Sequence, residues 1–216
     1  MISFLRNNVF KIFVFNIIVI YIVGVCGICC TNGKQQLLFL KLTPINLIVT
    51  TFFTFIFHKN WNLKFISTLF FIFLFGFFIE VLGVKTQVVF GSYYYGKTLG
   101  FKVFDVPLTM GLNWLLLIYC IAVSFNKISN LFLFSFIAAA TMTLLDLLIE
   151  PIAIKLDFWQ WQNNIAPLQN YIAWFILSFV LFLFFRIINK KPENNFAKVV
   201  LVIQFLFFGI LNFLLR

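Results

Sequence analysis

A chain of 216 residues that is 63% hydrophobic and only 10% charged, with a mean hydropathy of +1.06, lies outside the range of soluble globular domains. Its net charge of +10 comes from sixteen Lys and Arg scattered singly among short loops, which argues against a nucleic-acid-binding face. The composition predicts one integral membrane domain over residues 1–216, surrounded by lipid, with no separate soluble part.

Hydropathy places seven spans, near residues 9–30, 37–57, 63–84, 105–125, 129–150, 167–188 and 196–215, which makes the fold an all-α, multi-pass transmembrane bundle. The first span follows Arg6 and Lys11, is long, and has no small-residue cleavage site after it, so it is expected to be retained. Short polar stretches separate most spans, whereas the connections at 85–104 and 151–166 are longer and aromatic. Cys26, Cys29, Cys30 and Cys120 lie in or beside apolar segments and read as small helix-packing residues.

Nine basic residues (Arg6, Lys11, Lys59, Lys64, Lys127, Arg186, Lys190, Lys191 and Lys198) map to the N-terminal face. Seven (Lys34, Lys41, Lys85, Lys97, Lys102, Lys155 and Arg216) map to the other. That bias points to a cytoplasmic N-terminus in a cell-membrane protein. The acidic residues divide more sharply: Glu80, Asp105, Asp146, Glu150 and Asp157 map to the second face, with both aromatic loops, and only Glu193 to the first.

The second-face elements also hint at a parallel internal repeat. "VPLTMGLNW" (106–114) and "APLQNYIAW" (166–174) each place Trp seven residues after a proline, and each follows a helix ending near a glutamate and then an aromatic loop. Parallel repeats tend to share a site at their interface.

Ionisable residues inside a membrane are costly and mark function by default. Glu80 has Gly76 four residues before it and Gly83 three after, on one helical face, where small residues let another backbone approach. Asp146 and Glu150 share a face at i and i+4. Two carboxylates one turn apart in low dielectric repel, which makes the pair a candidate acid and base. The bland alternative is a stabilising ion pair with Lys155 or Lys85. Pro151 is expected to kink or end the helix at Glu150. Asp105, just before Val-Pro, reads as a helix N-cap, and Asp157 and Glu193 as solvated loop charges. His58, the sole histidine, lies on the opposite face and cannot form the histidine cluster that membrane di-iron enzymes need. No metal site, nucleotide motif or redox cofactor signature is visible, so no cofactor is expected.

Tyr and Trp carry more information than the 34 phenylalanines. Trp114, Trp159, Trp161 and Trp174 suit an interfacial belt, yet their ring faces also stabilise cations, by about 0.5–2 kcal/mol. In "GSYYYGKTLG" (91–100), alternation in an extended loop points Tyr93 and Tyr95 one way and Tyr94 the other.

The stretches "EVLGVKTQVVFGSYYYGKTLGFKVFDVPL" and "DLLIEPIAIKLDFWQWQNNIAPLQNYIAWF" resemble the multi-span carotenoid biosynthesis family that includes the carotenoid 1,2-hydratases and bisanhydrobacterioruberin hydratase. The matching positions run through residues 76–175 and include Glu80, Gly83, Thr86, Tyr93, Tyr95, Pro107, Asp146, Glu150, Pro151, Trp159, Trp161, Asn170, Tyr171 and Trp174. Two positions depart from that family pattern, with Gln87 and Asp105 where it has glycine. The resemblance implies addition of water across the terminal 1,2 double bond of an acyclic carotenoid end by a hydro-lyase whose substrate is a lipid-soluble polyene. For that reaction the residue inventory assigns the Asp146/Glu150 pair as proton donor and Glu80 as the group that orients or deprotonates water, two roles that are exchangeable. Tyr93, Tyr95, Trp159, Trp161, Asn170 and Trp174 then contact substrate. Two other readings use the same inventory: a lycopene-cyclase-like isomerase, in which an alkene captures the cation, and a carotenoid-binding protein without turnover.

Overall fold

The computed structural model describes residues 2–189 and 191–215; Lys190 and Arg216, counted in the charge comparison, lie outside the described residues. Eight helices carry the fold: α1 (Ile2–Cys29), α2 (Lys34–Lys41), α3 (Thr43–Ile56), α4 (Leu63–Thr86), α5 (Thr109–Ser124), α6 (Leu131–Lys155), α7 (Leu168–Ile188) and α8 (Asn195–Leu214). Four short strands lie in the two long connections: β1 (Tyr93–Tyr95), β2 (Lys102–Val103) and β3 (Val106–Pro107) in the first, and β4 (Trp159–Trp161) in the second.

The architecture is an all-α multi-pass membrane bundle. Six stretches are long and apolar enough to cross a membrane: Asn8–Cys29, Lys34–Ile56, Leu63–Thr86, Leu131–Lys155, Leu168–Ile188 and Asn195–Leu214. The second of these is broken at Leu42 into α2 and α3, because Pro44 has no N–H to continue the ladder. α5 differs from the predicted span at 105–125. It has 16 residues, about 24 Å of helix, short of the roughly 30 Å hydrocarbon layer. It is also the axis of the bundle: 13 of its residues are buried, and α3, α4, α6, α7 and α8 all pack on it.

Asparagine caps three helices that start on the N-terminal face. Asn62 Oδ1 accepts from Phe65 N in α4, Asn130 from Leu133 N in α6, and Asn194 from Phe196 and Ala197 N in α8. Each satisfies N–H groups that a helix start leaves open.

Two local expectations change. Of the two outcomes expected at Pro151, a kink or an end, the end is excluded, since α6 runs on to Lys155. Asn212 Nδ2 of α8 donates to Leu148 O at 2.6 Å, one residue beyond the Leu147 carbonyl that Pro151 leaves without its usual helical donor. Asp105 caps no helix: α5 starts at Thr109 after Leu108, and Pro107 lies in β3. Phe104 and Asp105, at φ of 53° and 70°, form the two-residue turn of a β2–β3 hairpin, and Asp105 pairs with Lys85.

Candidate functional site

The two aromatic loops meet. β1 and β4 pair antiparallel, with Tyr93 opposite Trp161, Tyr94 opposite Gln160 and Tyr95 opposite Trp159. The ladder is extended at both ends by Gly96 N to Phe158 O at 2.9 Å and Gln162 N to Ser92 O at 3.0 Å. Thr98 and Lys97 N pin the first loop to Asp157, through its backbone and side-chain oxygens respectively, so Asp157 is an exposed loop charge that also tethers the two loops.

Because side chains alternate along a strand, the four outer residues of the ladder point to one face. Tyr93 and Tyr95 are 7% and 5% exposed, while Tyr94 is 60% exposed, as the alternation argument requires. Trp159 and Trp161 are buried beside them, with ring centroids 5.0 Å apart for Tyr93 and Trp161 and 6.1 Å for Tyr95 and Trp159.

Each aromatic pair grips the glutamate of the helix that precedes it. The Tyr93 and Tyr95 hydroxyls donate to Glu80 Oε2 at 2.6 and 2.7 Å, and Trp114 Nε1 donates to Oε1 at 3.0 Å. On the other side, Trp159 and Trp161 donate their Nε1 protons to Glu150 Oε2 at 3.0 and 2.7 Å. Asn170 Nδ2 bridges the remaining pair, donating to Asp146 Oδ2 at 2.8 Å and Glu150 Oε1 at 3.2 Å. Glu80, Asp146 and Glu150 are all buried. Burial and the neighbouring Glu80 carboxylate push both tyrosine hydroxyls well above the usual range, which keeps them protonated as donors.

Among the described residues no cation pairs with these three acids. Among the described residues the one salt bridge is the exposed Lys85–Asp105 pair, while Lys155 reaches the Leu215 carbonyl. The ion pairs that would make Asp146 and Glu150 a stabilising cluster are therefore not formed. Among the described residues no three His, Cys, Asp or Glu side chains converge as a metal-binding group.

The two glycines flanking Glu80 make room for side chains, not for a second backbone as their spacing suggested. A Cβ on Gly76 would lie 2.4 Å from Trp114, and one on Gly83 would lie 2.5 Å from Phe90 and 2.8 Å from the Tyr93 hydroxyl. Trp114, read from sequence as a belt residue, is thus a Glu80 ligand, and its place seven residues after Pro107 was the available signal. Trp174 stands one layer back: it stacks on Trp114 and donates no hydrogen bond to any carboxylate among the described residues. Asn170, expected to touch substrate, is committed to the two carboxylates.

Two cavities elsewhere help to define the site by contrast. On the N-terminal face a cavity of about 810 Å³ is lined by Lys59, Lys127, Lys191 and Lys198, with Glu193 as its one carboxylate, and lies at the far end of the bundle from Glu80. There His58 is buried, with Nδ1 2.8 Å from the Tyr119 hydroxyl and its ring stacked on Phe65, and takes no part in the carboxylate cluster. Over the tyrosine loop, a polar depression of about 510 Å³ is bounded by Gln87, Ser92, Tyr93, Tyr95 and Lys102.

Comparison with curated proteins and with solved structures finds no match. A family model does match, and it reaches beyond residues 76–175 to take in everything from the start of α3, leaving α1 and most of α2 outside. A protein with a role in carotenoid biosynthesis accounts for the bilayer-spanning bundle and implies a lipid-soluble substrate. The chain belongs to the carotenoid biosynthesis protein family, whose model covers residues 41–216.

Proposed function

We propose that the chain is a cofactor-independent carotenoid hydratase, adding water across the terminal 1,2 double bond of an acyclic carotenoid end. The observation that carries this reading is the set of three buried carboxylates without a cationic partner among the described residues, held by aromatic N–H and O–H groups inside a membrane protein of the carotenoid biosynthesis family. Burying acids unpaired costs stability, and functional use explains why they are there.

In this reading, the Asp146/Glu150 pair delivers a proton to C2 and leaves a tertiary cation at C1. Asp146 is the better placed donor, since Asn170 is its one hydrogen-bond partner while Glu150 is held by three groups. The rings of Tyr93, Tyr95, Trp159 and Trp161 present π faces to the cation, each worth about 0.5–2 kcal/mol. Water captures C1 and yields its proton to Glu80, which lies behind the two tyrosines that border the polar depression. Proton return from Glu80 to the pair restores the starting state, so the net change is one water added. The roles of donor and base exchange without altering that balance. The charge bias supports a cytoplasmic N-terminus, with the site toward the opposite side of the cell membrane.

The test is expression in a host that makes lycopene or γ-carotene, with extracted pigments analysed by mass. The expected product is heavier by one water per reacted end, and Glu80→Gln, Asp146→Asn and Glu150→Gln lose it at unchanged membrane level. A product of unchanged mass with a new ring would favour cyclisation instead. Unchanged pigment, or full activity in all three variants, would overturn the assignment.

A further inference from the structure

An apolar cavity of about 310 Å³ lies between α1, α3, α5 and α8, bounded toward the site by Ile149, Phe158 and Trp159. Trp159 joins it to the chemistry: the indole lines the cavity while its Nε1 holds Glu150. The rim includes the exposed apolar residues Val23 and Leu42, so the mouth opens toward lipid and not toward water. At roughly 30 Å³ for a water-sized group, the volume takes about ten such groups, the size of two isoprene units.

Its polar lining is sparse and partly engaged. Gln204 Nε2 donates to the Tyr21 hydroxyl at 2.8 Å and Thr109 to Leu99 O at 2.8 Å. One amide keeps hydrogen-bonding capacity. Asn46 accepts from Thr50 through Oδ1 and lies against the Tyr21 hydroxyl, whereas Asn113 makes no side-chain hydrogen bond among the described residues. An amide facing an apolar space is costly unless a ligand completes it.

We propose that this cavity is a binding subsite for an isoprenoid end group of about ten carbons that bears one oxygen, with Asn113 as its hydrogen-bonding partner and α1 as its outer wall. In the hydratase reading, on which the choice of ligand class rests, that oxygen is the tertiary hydroxyl of the product after the end group has moved off the carboxylates, none of which lines the cavity. Val23 and Gly24 of the wall lie outside the segment matched by the family, while Asn113 lies within it.

Equilibrium dialysis of the detergent-solubilised full chain against a branched C10 tertiary alcohol and the corresponding C10 alkane tests this. The alcohol is expected to bind about three- to tenfold tighter, the worth of one hydrogen bond. Asn113→Leu should abolish that preference and retain alkane binding. Gly24→Phe should abolish both, because Gly24 lines the cavity and only Phe207 stands near its missing side chain. Gly209→Phe, at a glycine with open space around it, should bind like the wild type. Retained preference in Asn113→Leu, or wild-type binding in Gly24→Phe, would refute the subsite. If Gly24→Phe fails to fold, Asn113→Leu alone decides. Binding is read without turnover, so a chain that binds in this pattern yet adds no water would sink the hydratase reading and leave the subsite standing.

Discussion

Trp174 lies flat against Trp114, with ring centroids 4.3 Å apart and planes 13° from parallel, and only Trp114 bonds to a carboxylate. Both residues follow a proline by seven positions, so equivalent parts of the α4–α5 and α6–α7 units touch each other, as do β1 and β4. Contacts between like positions are also what a parallel repeat sharing one site would give. The two units differ at the residue four before each glutamate. Gly76 admits Trp114, while Asp146 supplies a second acid.

That difference separates the two tryptophans experimentally. Trp114→Phe keeps an aromatic ring for stacking but removes a donor to a buried carboxylate, an interaction worth about 1.5–3 kcal/mol. Hydration is expected to fall about 10- to 100-fold, whereas Trp174→Phe should cost less than about threefold. Equal losses measured by product mass in membranes of matched protein content would show that the Glu80 bond does not matter.

Gly83→Ala tests the space left for Tyr93. The added methyl meets the Phe90 ring and the Tyr93 hydroxyl closer than van der Waals contact, and overpacking of this kind costs about 1–3 kcal/mol. A lowered Tm together with activity reduced to the level of Tyr93→Phe is expected. Leu82→Ala, at an exposed neighbouring position, should stay within about 0.5 kcal/mol. Thermal unfolding in detergent with both variants side by side gives the answer.

Much of this site is legible in the sequence because membrane burial makes acids conspicuous and helical spacing puts them on faces. Glu80, Asp146 and Glu150 stand out in apolar runs, and strict alternation orients Tyr93 and Tyr95. The ladder between β1 and β4 was not legible. Three-residue strands leave no periodic signal, and their pairing joins residues more than 60 positions apart. Asp105 misled for a related reason. Asp before Val-Pro satisfies the local rule for a helix cap, but Phe104 and Asp105 turn left-handed and carry the chain into a hairpin. At Pro151 the local rule allowed a kink or an end, and the burial of Ile152 and Ala153 in the turn that follows favours continuing α6 to Lys155.

The left-handed positions explain the two departures from the glycine pattern. Gln87 closes α4 at φ 58° and Asp105 lies at φ 70°, a region that favours glycine. At Gln87 the left-handed backbone costs about 1–2 kcal/mol for an L-residue, while glycine adds about 0.5–1 kcal/mol of unfolded-state entropy. The Gln87 side chain returns part of that by accepting from Ser92 Oγ at 2.8 Å. Gln87→Gly is therefore expected to raise stability by a few tenths of a kcal/mol, up to about 1. A fall in Tm would mean that the Ser92 bond outweighs the backbone strain.

His58 gives a pH dependence with a definite sign. Burial pushes its pKa down to about 4 from the usual 6.5, so the folded chain keeps the ring neutral where the unfolded chain is protonated. Unfolding then takes up a proton between about pH 6.5 and 4, and stability contributed by the neutral ring is present above that window and lost as pH falls through it. His58→Gln removes the titration. The Tm difference between wild type and variant is expected to move against the wild type as pH drops from 7 toward 4. Because the buried carboxylates are common to both proteins, the difference isolates the imidazole. A difference that stays constant across that range would show that His58 is protonated in the folded chain or that its burial does not oppose the charge.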